Sequence, residues 1–202
     1  MNTSTPEIKT PIEAIREMVL SSFENFIKYF QVEYYGYKPN LYDYQLQIVD
    51  SLEEVIRGKT TRLIINVPPR YRKTQISVKD FIAYGLALSG GKAKYIHVSY
   101  AQKLALDNSE SIRDFISSDP FQKLFPEVQI KKDSNAKEKW YTTTGGGVYA
   151  TSSGGQVTGF GAGASPEDYD EDGDEFETVY DEFFQGLDPL KFGGALVIDD
   201  PN

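Results

Sequence analysis

The chain has 202 residues, 40% of them hydrophobic and 13% aromatic, with one histidine and no cysteine. That length can bury one well-formed core, and the lack of thiols excludes a disulfide framework or a thiolate metal site while fitting a reducing compartment. No apolar run approaches the roughly 18 residues that span a bilayer, and Met1–Thr10 lacks the basic-then-apolar order of a secretory signal.

Ile12–Phe30 carries Ile15, Met18, Val19, Phe23, Phe26, Ile27 and Phe30 at helical spacing, which predicts one amphipathic helix. A second helix is expected over Leu41–Arg57, starting near Tyr42-Asp43 and ending at Gly58. Leu63–Val67 is apolar almost throughout and reads as a strand covered on both faces. Lys73–Leu88 is expected to be helical up to Gly90-Gly91. Lys94–Tyr100 reads as a strand, and Ala101–Ser117 as a helix anchored by Leu104, Leu106, Ile112 and Ile116 and broken at Asp119-Pro120. Trp140–Thr144 and Val148–Thr151 form a hairpin around Gly145-Gly146-Gly147. Ser152–Gly163 is a glycine-rich loop, and Ala195–Ile198 is the last strand.

The formal charge of −9 is concentrated in one place. Glu167–Glu182 holds ten carboxylates and no Lys or Arg, which leaves 21 basic against 20 acidic residues elsewhere. The run reads as a solvated, self-repelling insertion, with a DNA-mimicking decoy, a docking segment or a weak Ca²⁺ site as functional alternatives. An EF-hand is excluded, because the glutamate needed at loop position 12 falls at Val179.

Alternation of strands and helices predicts an α/β fold, with a mostly parallel central sheet, helices on both faces, an added β-hairpin and N-terminal helices. Ligands in such folds bind at the carboxyl ends of strands. Two sequence segments would converge there. One is Leu63–Thr74, an apolar run that ends in a basic turn and closes on Lys73-Thr74, the layout of a P-loop. The other is Ala195–Asp200, an apolar strand that ends in two carboxylates.

In that layout Pro69, Arg70, Tyr71, Arg72, Lys73 and Thr74 would cradle the phosphates. Lys73 would meet β- and γ-phosphate oxygens, and Thr74 would reach Mg²⁺. Asp199 would hold the Mg²⁺, and Asp200 would stand near enough to polarise an attacking water. The alternatives are a basic surface turn and an ordinary Asp-Asp-Pro turn. Both glycines of the usual loop pattern are replaced, by Val67 and Arg72. An arginine at the second position must adopt a milder turn or carry strain. Arg70 and Arg72 suit charge on a transferred phosphoryl group, or pairing with the acidic surface. Gln45 can bond an adenine edge while Tyr42 or Tyr44 stacks on the base, unless it is simply a polar helix residue.

His97, in the middle of an apolar strand, reads as a core residue. Gly154–Gly161 suits a loop near a ligand or nucleic acid, and it lacks the strand–loop–helix context of a dinucleotide fingerprint. Lys131, Lys132, Lys137 and Lys139 beside Trp140 suit either DNA phosphates or a solvated face.

These segments together resemble the ATPase part of the terminase large subunit of tailed bacteriophages. The resemblance rests on Tyr44-Gln45, Asn66-Val-Pro-Pro-Arg70-Tyr-Arg-Lys73-Thr74, Val98–Gln102 with Asn108, Ser109 and Arg113, and Phe121–Pro126. Trp140-Tyr-Thr with Gly146-Gly147, the loop Gly155–Ala162, and Ile198-Asp199-Asp200-Pro201 complete it.

It implies a P-loop NTPase three-layer fold over 41–202, interrupted by the acidic insertion at about 165–191 and preceded by a helical segment over 1–40. It further implies ATP and Mg²⁺ as cofactors, and ATP hydrolysis that drives double-stranded DNA into a procapsid. The partners would be the portal protein and the small terminase subunit, in a homo-oligomeric ring in the host cytoplasm and away from membrane. Lys73, Arg70 and Asp200 would be the catalytic residues, with Asp200 where many relatives place a glutamate. The chain stops after Asp-Asp-Pro, so the family's next strand and its nuclease domain are expected to be missing. Other P-loop helicases or translocases, or a degenerate fragment that binds nucleotide or portal without turnover, are the competing expectations.

Overall fold

The computed structural model describes residues 9–132, 136–155, 161–162 and 192–200. The acidic run and half of the glycine-rich loop therefore lie outside the described residues.

The N-terminal apolar stretch is two helices, not one. Helix α1 spans Pro11–Leu20, opened by a capping box between Thr10 and Glu13 with Pro11 in its first turn. Ser22 is extended (φ −158°, ψ 155°), and its side chain accepts from Asn25 N, so it starts a new helix, α2, over Phe23–Glu33. Helix α1 buries only Val19 and Leu20, and Ile15 and Met18 are exposed. Helix α2 buries Phe23, Phe26, Ile27 and Phe30, at the i, i+3, i+4, i+7 positions of one face.

Helix α3 runs Asp43–Ile56, as expected. The chain from 62 to 68 belongs to no strand. Leu63, Ile65 and Val67 are half-buried against the core, whereas Ile64 is 94% exposed. The segment is thus one-sided and unpaired, where a strand covered on both faces was expected. The next helical segment opens at Lys73-Thr74, passes through a π-helical turn, Gln75–Asp80, and continues as α4, Phe81–Leu88, which is buried along its whole length.

Strand β1, Lys94–Ser99, leads into α5, Gln102–Ile116. Helix α5 is anchored by Ala105, Ser109, Ile112, Phe115 and Ile116. Leu104, an expected anchor, is exposed, and Leu106 is only half-buried. Asp119-Pro120 does not merely end α5. It opens a short helix α6, Asp119–Leu124, with proline in the first turn. The hairpin forms as β2, Lys139–Tyr141, and β3, Gly147–Ser152, and β4 is Leu196–Asp199.

The strand order is β2-β3-β1-β4, with β1 parallel to both β3 and β4, and β2 antiparallel to β3. The sheet is therefore open and mixed. Strand β1 aligns Ser99 with Asp199, so both strands end at the same level. Gly194, at φ +117°, lets the chain enter β4 hard against the Lys94 backbone, where a Cβ would collide.

Tyr95, His97 and Trp140 point to the helical side. Tyr95 meets Phe81 of α4 (6.2 Å between centroids), His97 meets Asn108 of α5, and Trp140 Nε1 donates to Ser109 (2.9 Å). Phe23, Phe26, Phe30, Tyr84, Phe115, Phe121 and Phe125 form the aromatic centre of that layer. The opposite face carries Ile96, Val98, Leu196 and Ile198, and the last two are 57% and 56% exposed. Among the described residues, the expected second helical layer is not found. No helix among them is long and apolar enough to cross a membrane.

Candidate functional site

Lys73 and Thr74 begin the helical segment that continues through the π-helical turn, and Asp199 and Asp200 close β4. Fold and sequence spacing bring these four together. The Thr74 hydroxyl donates to Asp199 Oδ2 at 2.8 Å. The Lys73 ammonium lies 3.6 Å from Asp199 Oδ1 and donates to an Asp200 oxygen. This bond to Asp200 raises the pKa of Lys73, against the opposing effect of partial burial. Asp199 is buried and Asp200 exposed, so one carboxylate is a fixed wall of the site and the other faces solvent. Asp200 sits at φ +45° and accepts at its backbone carbonyl from Tyr100 N (3.1 Å).

The loop itself is strained. Arg70 and Arg72 have φ of 69° and 60°, both in the left-handed region. That conformation costs a non-glycine residue on the order of 1 kcal/mol or more. Arg72 thus meets the glycine requirement of its position by strain and not by a milder turn. Its guanidinium lies over the Tyr37 ring, 5.9 Å from the centroid. Arg70 and Tyr71 are exposed, as is Pro69.

Tyr71 links the loop to the start of α3. Its ring packs edge-on to Tyr44 (5.3 Å), and Tyr44 stacks parallel to Tyr42 (6.0 Å, 6°). Gln45 is only 1% exposed. Its Oε1 accepts from Tyr42 N (3.0 Å), and its Nε2 has no partner. A buried amide nitrogen without an acceptor is costly, and it stands beside an aromatic patch that reaches the loop.

For a divalent cation, Thr74 and Asp199 offer a hydroxyl and a carboxylate on one spot. That set fits Mg²⁺, which keeps several waters and takes one or two carboxylates together with substrate phosphates. Among the described residues, no group of three or more acidic or histidine side chains gathers into a dedicated metal cage.

His97 is fully buried. Its Nε2 faces Asn108 at 3.3 Å. Burial lowers its pKa, against the opposing effects of the Val197 backbone and Asp199. Lys137 pairs with Glu110 (2.7 Å), and Lys139 lies over Tyr141 and Tyr149 (5.3 and 6.0 Å). Lys131 and Lys132 line a shallow cavity with Arg113, Ser117 and Ile130, apart from the loop.

Sequence reasoning overlooked the polar groups behind the loop. Asp80 is 3% exposed and accepts from Gln75 Nε2 (2.8 Å), which also donates to Tyr35 Oη (2.6 Å). One signal was available: Asp80 lies four residues after Ile76 and four before Tyr84, both buried, on one helical face. A further contact joins Gln102 Oε1 to Ser152 N (2.8 Å), tying the start of α5 to the end of β3.

No family model, curated protein or solved structure matches this chain.

Proposed function

We propose that this chain is an ATP-hydrolysing motor subunit of the phage-terminase type, which couples turnover to translocation of double-stranded DNA. The observation that carries the reading is the meeting of Lys73 and Thr74, at a helix start, with Asp199 and Asp200, at the end of a parallel strand. That pairing of an anion-binding turn with strand-end carboxylates is the working core of P-loop phosphoryl transfer.

In this reading the helix start and the Lys73 ammonium hold the β- and γ-phosphates, and the phosphates displace Asp200 from Lys73. Asp200, freed and exposed, orients the attacking water. Arg70 stabilises charge on the transferred group. Thr74 and Asp199 would hold Mg²⁺, which when bound neutralises developing phosphate charge. Tyr42 or Tyr44 lies against the base face, and the buried, unpartnered amide nitrogen of Gln45 meets the adenine ring nitrogens once that aromatic patch opens. Double-stranded DNA, the portal protein, the small terminase subunit and a homo-oligomeric ring belong to the same proposal.

ATP binding and turnover by the wild type against Lys73→Ala, with and without double-stranded DNA, test it. Loss of one transition-state cation costs about 10²-fold or more in turnover, so Lys73→Ala should be nearly inactive. DNA should raise the wild-type rate. ATP binding without turnover in both proteins would leave a non-hydrolysing nucleotide-binding role, and no binding in either would end the nucleotide reading.

A further inference from the structure

A chain of side chains runs behind the loop and brackets Lys73 and Thr74. It begins at Arg72, whose guanidinium covers the Tyr37 ring. Tyr37 stacks on Tyr35 (6.1 Å between centroids, 9° between planes). The Tyr35 hydroxyl accepts from Gln75 Nε2 at 2.6 Å, and the same amide reaches Asp80 at 2.8 Å. Residue 72 precedes the phosphate-binding pair, and residues 75 and 80 are the two ends of the π-helical turn that follows it. Both ends of the pair are therefore fastened to the segment just beyond α2.

Asp80 is the buried terminus of this chain. A carboxylate removed from water needs cationic or donor partners. The titratable groups that face it are Arg72 from the loop, Lys79 from its own turn and Tyr35 from beyond α2, with Gln75 as the neutral donor. Arg72 is the cation whose backbone is strained, and strain at such a position persists only when surrounding contacts hold it. Arg70, two residues earlier, is exposed and has no hydrogen bond or ion pair among the described residues.

We propose that Asp80 is a positioning residue for the phosphate loop: through Gln75, Tyr35 and Tyr37 it holds Arg72 against the α2 end, keeps that guanidinium off the nucleotide, and leaves Arg70 as the loop arginine that meets the phosphates. The proposal rests on the nucleotide reading above, but its structural half stands without nucleotide. Burial lifts the Asp80 carboxyl to about 7, with Gln75, Arg72, Lys79 and Tyr35 drawing it back down. The grip on Arg72 therefore tightens as pH rises through neutrality.

The test uses the full chain as wild type, Asp80→Asn, Arg72→Ala, their double variant and Arg70→Ala. Amide-exchange protection of residues 69–75 is measured without nucleotide at pH 6 and pH 8, and ATP affinity is measured in parallel. Asp80→Asn should lower protection at pH 8 by about fivefold, the scale of coupling between residues in one network, and should change it little at pH 6. Arg72→Ala should lower it equally, and the double variant no further. In ATP affinity, Asp80→Asn and Arg72→Ala should share one effect, whereas Arg70→Ala should add its own.

Tyr37→Leu, at a ring that is 59% exposed, gives the same readout if Asp80→Asn folds poorly. Unchanged protection in Asp80→Asn and Tyr37→Leu, or independent multiplying effects of residues 72 and 80, overturns the tether. Wild type that fails to bind ATP overturns the nucleotide reading instead, while the exchange measurements still decide the tether.

Discussion

At the scale of single residues, the chain places its most unusual chemistry one helical turn behind the loop. Asp80 has a folded pKa of about 7, whereas an unfolded aspartate titrates near 3.9. Between those values the native state keeps a proton that the unfolded chain releases, so stability falls as pH rises from about 4 to about 7. Three pKa units correspond to on the order of 4 kcal/mol. Asparagine fits the same space and never ionises. The stability difference between Asp80→Asn and wild type, from urea unfolding at several pH values, should therefore grow in favour of the variant between pH 5 and pH 8. A pH-independent difference would mean that Asp80 does not change charge in the native state over that range.

The same variant is expected to be more stable and to bind ATP less well, an opposition that a purely structural residue would not produce. The meeting of Lys73 and Thr74 with Asp199 was legible because a basic turn at a helix start and a carboxylate at a strand end converge at the same edge of an α/β sheet. Asp80 was not, since burial of one acid among apolar neighbours depends on which helix face the fold covers.

At the scale of elements, periodicity served well where one face alone had to be buried. Helices α3 and α5 and strands β1 and β4 lie within two residues of their expected limits. It failed for 63–67, because an apolar run states a preference for extended structure and not a pairing partner. It also failed at Ser21-Ser22, where hydrophobic spacing continues across a break set by the Ser22 cap.

Packing between elements can be tested at Gly85 in α4. A Cβ there would strike the Tyr95 hydroxyl and come within 2.8 Å of Phe192. Alanine favours a helix over glycine by about 1 kcal/mol, but overpacking costs about 1–3 kcal/mol. Gly85→Ala should thus be destabilising on balance in thermal unfolding. Tyr95→Phe removes the struck oxygen, which is buried without a partner, so it should be near neutral alone and should recover part of the Gly85→Ala loss. No recovery would show that Phe192 is the barrier.

At the scale of the whole molecule, the described residues form a four-stranded sheet with helices packed on the face of Tyr95, His97 and Trp140, and β4 lies at one edge of it. The α/β class followed from the order of helices and strands, but the coverage of the second face depends on segments whose local pattern carries no such information. The consequence is an exposed apolar strip, Leu196 and Ile198, on a strand whose outer backbone groups have no ladder partner among the described residues. An apolar, unpaired edge is a template for association with another chain. The formal charge of −9 opposes association at low salt, but screening over about 10 Å at 0.1 M leaves short-range edge contacts intact.

Self-association of the chain should therefore increase with salt. Leu196→Lys and Ile198→Lys should suppress it, because a lysine on an edge strand repels a like neighbour. Exposed positions tolerate such changes within about 0.5 kcal/mol, so unfolding midpoints should barely move. Light scattering at rising salt for wild type and the two variants reads the effect directly. If all three associate alike, the contact lies elsewhere, and if none does, the β4 edge is protected in solution.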